Sequence, residues 1–141
     1  MRRSILRHRV ISLLSLAIMA ACSDTGTEPT MASVAGTYNA TSFATTSAGS
    51  TTNQLARGAT LTLLLSAQGT VTGTLFIPAD GTNGTVNESM AGSWALNGST
   101  VSFTQSADTF VRDMDFTSAS GTLVGDHTFG STRVQITLTR Q

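Results

Sequence analysis

The chain has 141 residues, with eight Lys+Arg against eight Asp+Glu, and only 11% of its residues are charged. It contains no lysine, so the cation clusters that neutralise nucleic-acid phosphates are missing, and the composition argues against a nucleic-acid partner. A single cysteine, Cys22, leaves no internal disulfide to form.

The chain opens MRRSILRHRVISLLSLAIMAA: four arginines, then an apolar run, then small residues. This is the layout of a secretory signal peptide, and the run is shorter than the roughly 20 apolar residues that span a bilayer core. The segment Met19-Ala20-Ala21-Cys22 resembles the lipobox of bacterial lipoproteins, with Met19 where leucine is commoner. That resemblance implies cleavage before Cys22 and acylation of its sulfur, with the acyl chains holding the protein on a membrane. Cleavage without acylation would leave a free thiol, a liability in an oxidising compartment. Ser23, standing where the family's retained members carry Asp, implies the outer membrane and a domain facing the periplasm. Once the leader is removed, Arg57, Arg112, Arg133 and Arg140 meet eight carboxylates, an excess of four negative charges. The expected organisation is a signal peptide over 1–21, a lipidated cysteine and flexible tether over 22–33, and one folded domain over 34–141. Such a domain is long enough to bury a core.

The tether, SDTGTEPTMAS, is polar and has no period. From Val34 onward the apolar residues recur with period two, as they do in half-buried antiparallel strands. VAGTYNATSF forms the first candidate strand. ATLTLLLS puts Leu61, Leu63 and Leu65 on one face and threonines on the other; TVTGTLFI does the same with Val71, Gly73, Leu75 and Ile77. MAGSWAL, TVSFT, FVRDMDF, TLVGDHTF and RVQITLTR complete eight candidate strands. Most connections are short and carry Gly, Asn, Asp or Ser, so sequential hairpins are expected. The predicted fold is all-β, about eight antiparallel strands in an up-and-down meander barrel; a two-sheet β-sandwich has the same periodicity. The threonine-rich outer face argues against a transmembrane barrel, whose outer face is an apolar band. Gly36, Gly73, Gly92 and Gly125 fall on the apolar face in mid-strand, where a small closed barrel bends. The stretch 44–58 lacks alternation and reads as a loop or lid over a barrel mouth.

Gly36-Thr37-Tyr38 on the first strand, the long stretch after it, the hairpin meander and Arg140 at the end of the last strand resemble the lipocalin and calycin-like barrels. In that family a Gly-x-Trp packs at the closed end of the barrel beneath a basic side chain from the last strand. Carried over, Gly36, Tyr38 and Arg140 take those places, with Tyr38 instead of the tryptophan. The resemblance implies a cavity for a small apolar or amphipathic molecule.

Two late segments supply the polar candidates. In FVRDMDF, Arg112 shares a face with Phe110, Met114 and Phe116; in TLVGDHTF, His127 shares one with Leu123, Gly125 and Phe129. Taking SASG as a four-residue hairpin loop places Phe116 opposite Leu123 and Arg112 opposite His127. Two cationic groups on an apolar interior need an anionic partner or exposure, so they are the expected anchor for a ligand carboxylate or phosphate. Snorkelling of Arg112 to water at the rim is the bland alternative. Trp94, Tyr38, Met114 and Phe116 are the expected apolar lining.

No cofactor or metal site is expected: His127 is the one histidine after the leader, and the aspartates lack the spacing of a calcium loop. No nucleophile elbow or paired carboxylates on one face point to an enzyme. The expected function is that of a lipid-anchored envelope protein whose barrel binds a small apolar or amphipathic ligand. The alternative is a solid barrel acting as a structural or interaction module through a patch of Leu64, Phe76 and Val124. The anchor is tested directly: Cys22→Ser abolishes incorporation of labelled palmitate and releases the protein from membranes, whereas retained label would place the acyl chain elsewhere.

Overall fold

The computed structural model describes residues 27–81 and 83–141. The leader, Cys22 and the tether up to residue 26 lie outside the described residues. A helical turn, α1 (Met31–Val34), is followed by ten strands: β1 (Gly36–Ser47), β2 (Ser50–Asn53), β3 (Thr60–Leu65), β4 (Thr70–Ile77), β5 (Val86–Ser89), β6 (Gly92–Asn97), β7 (Thr100–Gln105), β8 (Phe116–Ala119), β9 (Thr122–Phe129) and β10 (Thr132–Arg140). Every pairing is antiparallel, and β10 pairs back onto β1, so the sheet closes into a barrel. The ten strands occupy eight positions. β2 and β3 lie end to end along one edge of β1, and β5 and β6 lie end to end along β4. The domain is therefore an up-and-down barrel and not a sandwich.

Period two puts the expected residues inside. Leu61, Leu63 and Leu65 of β3, Val71 and Leu75 of β4, Val101 and Phe103 of β7, and Val134, Ile136 and Leu138 of β10 are all buried. The threonines between them face out. At about 25 cal/mol per Å² of apolar surface removed from water, this interior is the main stabilising term.

β1 breaks strict alternation. Its register with β10 shifts between Ala40 and Ser42, so Thr41 is the extra residue of a β-bulge. Tyr38 and Phe43, five positions apart, therefore both point inward and are both 1% exposed. A second device lies at Gly73, where φ is +146°. There β4 changes partner, from Gly92 and Ser93 of β6 to Val86–Ser89 of β5, and the Gly73 carbonyl accepts from Met90 N at 3.0 Å. A Cβ at Gly73 would overlap the Thr62 carbonyl of β3.

Four expectations about the elements and their register change. The first concerns 44–58, which is a loop in part only: β1 runs to Ser47 and a hairpin returns as β2 before a 3₁₀ turn at Leu55–Arg57. Its two-residue turn, Ala48-Gly49, has φ of +49° and +78°, which suits the twist of paired strands. Second, FVRDMDF is not a strand. Residues 109–114 form turns and β8 starts only at Phe116. Third, the β8–β9 connection is a two-residue turn, Ser120-Gly121, so Phe116 pairs with Gly125 and not with Leu123. Ser118 is the residue opposite Leu123. Fourth, Met31–Ser33, counted with the tether, form α1 with Val34; Thr30 caps it by accepting from Ser33 N at 3.2 Å.

Leu64 and Val124 are exposed, at 50% and 45%, but they do not form one patch with Phe76. Leu64 pairs with Thr72, Phe76 pairs with Thr60 at the other end of the same hairpin, and Val124 lies on β9, beyond β1 and β10.

The strain at Gly73 yields a stability prediction. Gly73→Ala lowers the urea midpoint with an unchanged m value, equivalent to about 2–4 kcal/mol, because the new methyl meets backbone that cannot move without parting β3 from β4. Gly84→Ala, with open space around it, stays within about 0.5 kcal/mol.

Candidate functional site

The meander sorts the connections between the two ends of the barrel. One end carries short turns at 66–69, 97–100 and 119–122, together with α1 and Arg140; the other carries the β1–β2 hairpin and the longer connections 78–85 and 106–115. The first end is filled. Tyr38 Oη donates to the Val34 carbonyl at 2.6 Å and Trp94 Nε1 to the Ser66 carbonyl at 2.9 Å. Burial pushes the Tyr38 hydroxyl up in pKa, against a smaller downward pull from the Arg140 charge. Arg140 pairs with Tyr38 in the β1–β10 register, and its side chain lies over Gly36, where a Cβ would be 2.6 Å from Arg140 Cδ. Gly36, Tyr38 and Arg140 thus meet at the closed end.

The other end is open. A cup of ≈ 590 Å³ sits there, above the filled lower core. Its apolar lining comes from the ends of several strands and one loop: Phe43 of β1, Ile77 of β4, Val86 of β5, Phe110, Phe129 of β9 and Val134 of β10. The Phe43 and Phe110 rings contact at 5.6 Å between centroids, so the 106–115 loop is held against β1. Polar groups stand on the β1–β2 side, where Gln54 Nε2 donates to Thr45 Oγ1 at 2.7 Å. Gln54 is itself fixed by its backbone N–H, which donates to the Phe43 carbonyl at 2.8 Å. At the rim, Arg57 lies 3.9 Å from Asp80, so the charge beside the cup is balanced.

The loop 106–115 is the wall between β5 and β9. Val111 and Met114 are buried, and Met114 packs with Phe116 over Gly125, where a side chain would collide with both. Arg112 points away from the interior. It donates to Asp113 Oδ1 from Nε at 2.7 Å and to Asp108 Oδ1 from Nη2 at 2.5 Å. The expected meeting of Arg112 and His127 does not occur, because the segment around Arg112 is a turn and the hairpin register is shifted. His127 is exposed on β9, its ring 4.5 Å from that of Phe129. Arg133, on the outer face of β10, is bonded to Asp126. Of the expected ligand-contacting residues, Tyr38 and Trp94 fill the closed end, and Met114 and Phe116 lie in the core. Arg112 and His127 lie on the surface. None of the six lines the cup.

The cup's own residues carry a signal that alternation alone misses. Long connections recur at every second turn in 44–58, 77–90 and 104–116, and in a meander those turns fall at the same end. The absence of alternation in 44–58 has the same origin: its inward positions are Thr45, Ser47, Thr52 and Gln54, the polar lining of the cup.

No protein-family model, no curated protein and no solved structure matches this chain. Among the described residues, no group of three or more His, Cys, Asp or Glu is placed to hold a metal ion.

The surface pairs give the domain an acid-sensitive element. Hydrogen bonds from Arg112 and Arg133 hold the Asp113 and Asp126 carboxyls below the ordinary 3.8. A carboxyl depressed in the folded state adds stability that is complete above its unfolded pKa and is lost as pH falls through its folded one. Amide exchange at Arg112 and Asp113, corrected for intrinsic rates, is therefore flat above the ordinary carboxylate pKa and accelerates only once the pH has fallen below it. Asp113→Asn removes that acid step; an unchanged step in the variant would exclude the pair as its cause.

Proposed function

We propose that this protein is a lipid-anchored barrel of the bacterial cell envelope that binds one small amphipathic molecule in the cup at its open end. The observation that carries the reading is the cup itself. Its ≈ 590 Å³ falls within the roughly 300–1,000 Å³ of small-molecule sites. It also pairs an apolar floor with a few fixed polar groups, the composition such sites use to bury a ligand and orient it. Phe43, Phe110 and Val134 receive the apolar part, and Thr45, Thr52 and Gln54 receive the polar one.

The placement of the chain supports an anchored arrangement. The described chain enters at the closed end, through 27–30 and α1. Cys22 precedes Thr27 by five residues, about 17 Å of extended chain. Acylation at Cys22 turns the closed end toward the bilayer and the cup toward the aqueous compartment. With the charge at the rim balanced by Arg57 and Asp80, the cup suits a ligand without net charge better than a fatty acid anion.

The test is a titration of the protein with N-phenyl-1-naphthylamine, an apolar fluorophore. One saturable site is expected, and Thr52→Trp, which fills the cup from its wall, weakens binding about tenfold while leaving the circular dichroism spectrum unchanged. Absence of fluorescence enhancement, or equal binding by a folded Thr52→Trp protein, would overturn the reading and point to a partner-binding module.

A further inference from the structure

The arginines of the described domain are not alike. Arg57, Arg112 and Arg133 each have an aspartate within ion-pair distance. Arg140 is the arginine without one among the described residues. Its Nη1 donates to the Ser33 carbonyl at 2.6 Å and to the Ala35 carbonyl at 3.4 Å. Those bonds satisfy carbonyls at the end of α1 and hold the side chain in place, its aliphatic stem over Gly36. They leave the other edge of the group, Nε and Nη2, without a protein acceptor among the described residues. That edge passes over Gly121, with both nitrogens 3.8 Å from where a Cβ would stand.

Arg140 and Gly121, over which that edge passes, both line a cleft of ≈ 390 Å³ at the closed end. Hydroxyl-bearing Ser118, Ser120 and Thr27 line the same cleft as Arg140. No carboxylate lines it among the described residues. Its other ionisable group, the Tyr38 hydroxyl, is spent on the Val34 carbonyl. A fixed cation with a free bidentate edge, hydroxyl donors beside it and no internal counter-ion is the donor set that oxyanions bind.

We propose that the Arg140 cleft is a phosphate-binding site, separate from the cup and at the opposite end of the barrel. The Nε–Nη2 edge of Arg140 takes two phosphate oxygens, and the Ser118 and Ser120 hydroxyls are placed to donate to a third. Hydroxyls beside a planar fork suit a tetrahedral anion better than a planar carboxylate, which the fork alone would satisfy. The phosphate belongs to a lipid headgroup or to a soluble phosphate compound. The position of the cleft at the chain's point of entry favours the headgroup. The site then sets the tilt of the barrel on the bilayer through one ion contact beside the anchor.

The experiment reads Arg140 directly. ¹H–¹⁵N spectra of the arginine Nε–H groups are recorded on the full protein in dodecyl maltoside micelles, with the Arg140 peak assigned by its loss in Arg140→Lys. Sodium phosphate is titrated in one arm, phosphatidylglycerol is added to the micelles in a second, and sodium chloride at matched ionic strength is the reference. A saturable shift of the Arg140 peak, absent from Arg57, Arg112 and Arg133, is expected in at least one of the first two arms. Response to phosphatidylglycerol at the lower concentration assigns the headgroup; response to inorganic phosphate alone assigns a soluble phosphate. Arg140→Lys keeps the charge but loses the fork, and a phosphate titration followed by the Gly121 amide should show half-saturation raised about tenfold. No saturable shift in either arm, the same shift with chloride, or an unchanged half-saturation in the lysine variant would overturn the proposal.

Discussion

The structure depends on the pairing of its first long strand with its last. β1 and β10 are matched from Tyr38 with Arg140 to Ser47 with Thr132, and this ladder turns an open meander into a barrel. Closure removes the two outer edges that a meander would otherwise offer to other chains. It also brings the beginning and the end of the folded chain to the same place, so α1, Tyr38 and Arg140 build one end together. The bulge at Thr41 makes the ladder compatible with the core. Without the extra residue, either Tyr38 or Phe43 would face solvent, since a one-residue slip inverts a strand's two faces.

Closure also makes the two ends unequal. At one, short turns draw the strands together, and the remaining gap is filled by Tyr38 and Trp94, each with its polar atom bonded to a backbone carbonyl. At the other, long connections hold the strands apart above the leucine-rich interior, and the cup is what remains between them. Its wall is firmest where β1, β2 and β10 pair and loosest at 106–115. There β7 and β8 share only two residue pairs, and Gln105 Oε1 and Thr109 Oγ1 are buried without a protein partner. Such orphaned groups cost stability, so this loop is the part of the wall least firmly held in the native state.

The inward leucines of β3 and the alternation of β4, β7 and β10 were legible because one face of each strand is uniformly apolar. Reading failed where that condition failed. The turn around Arg112 has apolar residues at alternate positions, Phe110, Arg112 aside, and Met114, and so imitates a strand. Its side chains instead serve three surroundings, the cup for Phe110, the core for Met114 and the surface for Arg112. The register error at the β8–β9 hairpin came from the turn. A Ser-Gly pair with positive φ is shorter than the four-residue loop its composition suggests, and moving the turn changes every cross-strand partner.

What the sequence determined by itself was the all-β class, the alternation that separates a leucine core from a threonine surface, and an N-terminal apolar run followed by the single cysteine. These follow from local chemistry, from backbone periodicity and the apolar run, and need no knowledge of distant residues. The tertiary structure decided that the sheet closes, which end stays open, and that among the described residues Arg112 is neutralised by its neighbours while Arg140 is not. Each of these depends on residues brought together across the barrel. Arg140 meets Gly36 and Gly121 only when the last strand lies against the first, and no local pattern encodes that encounter.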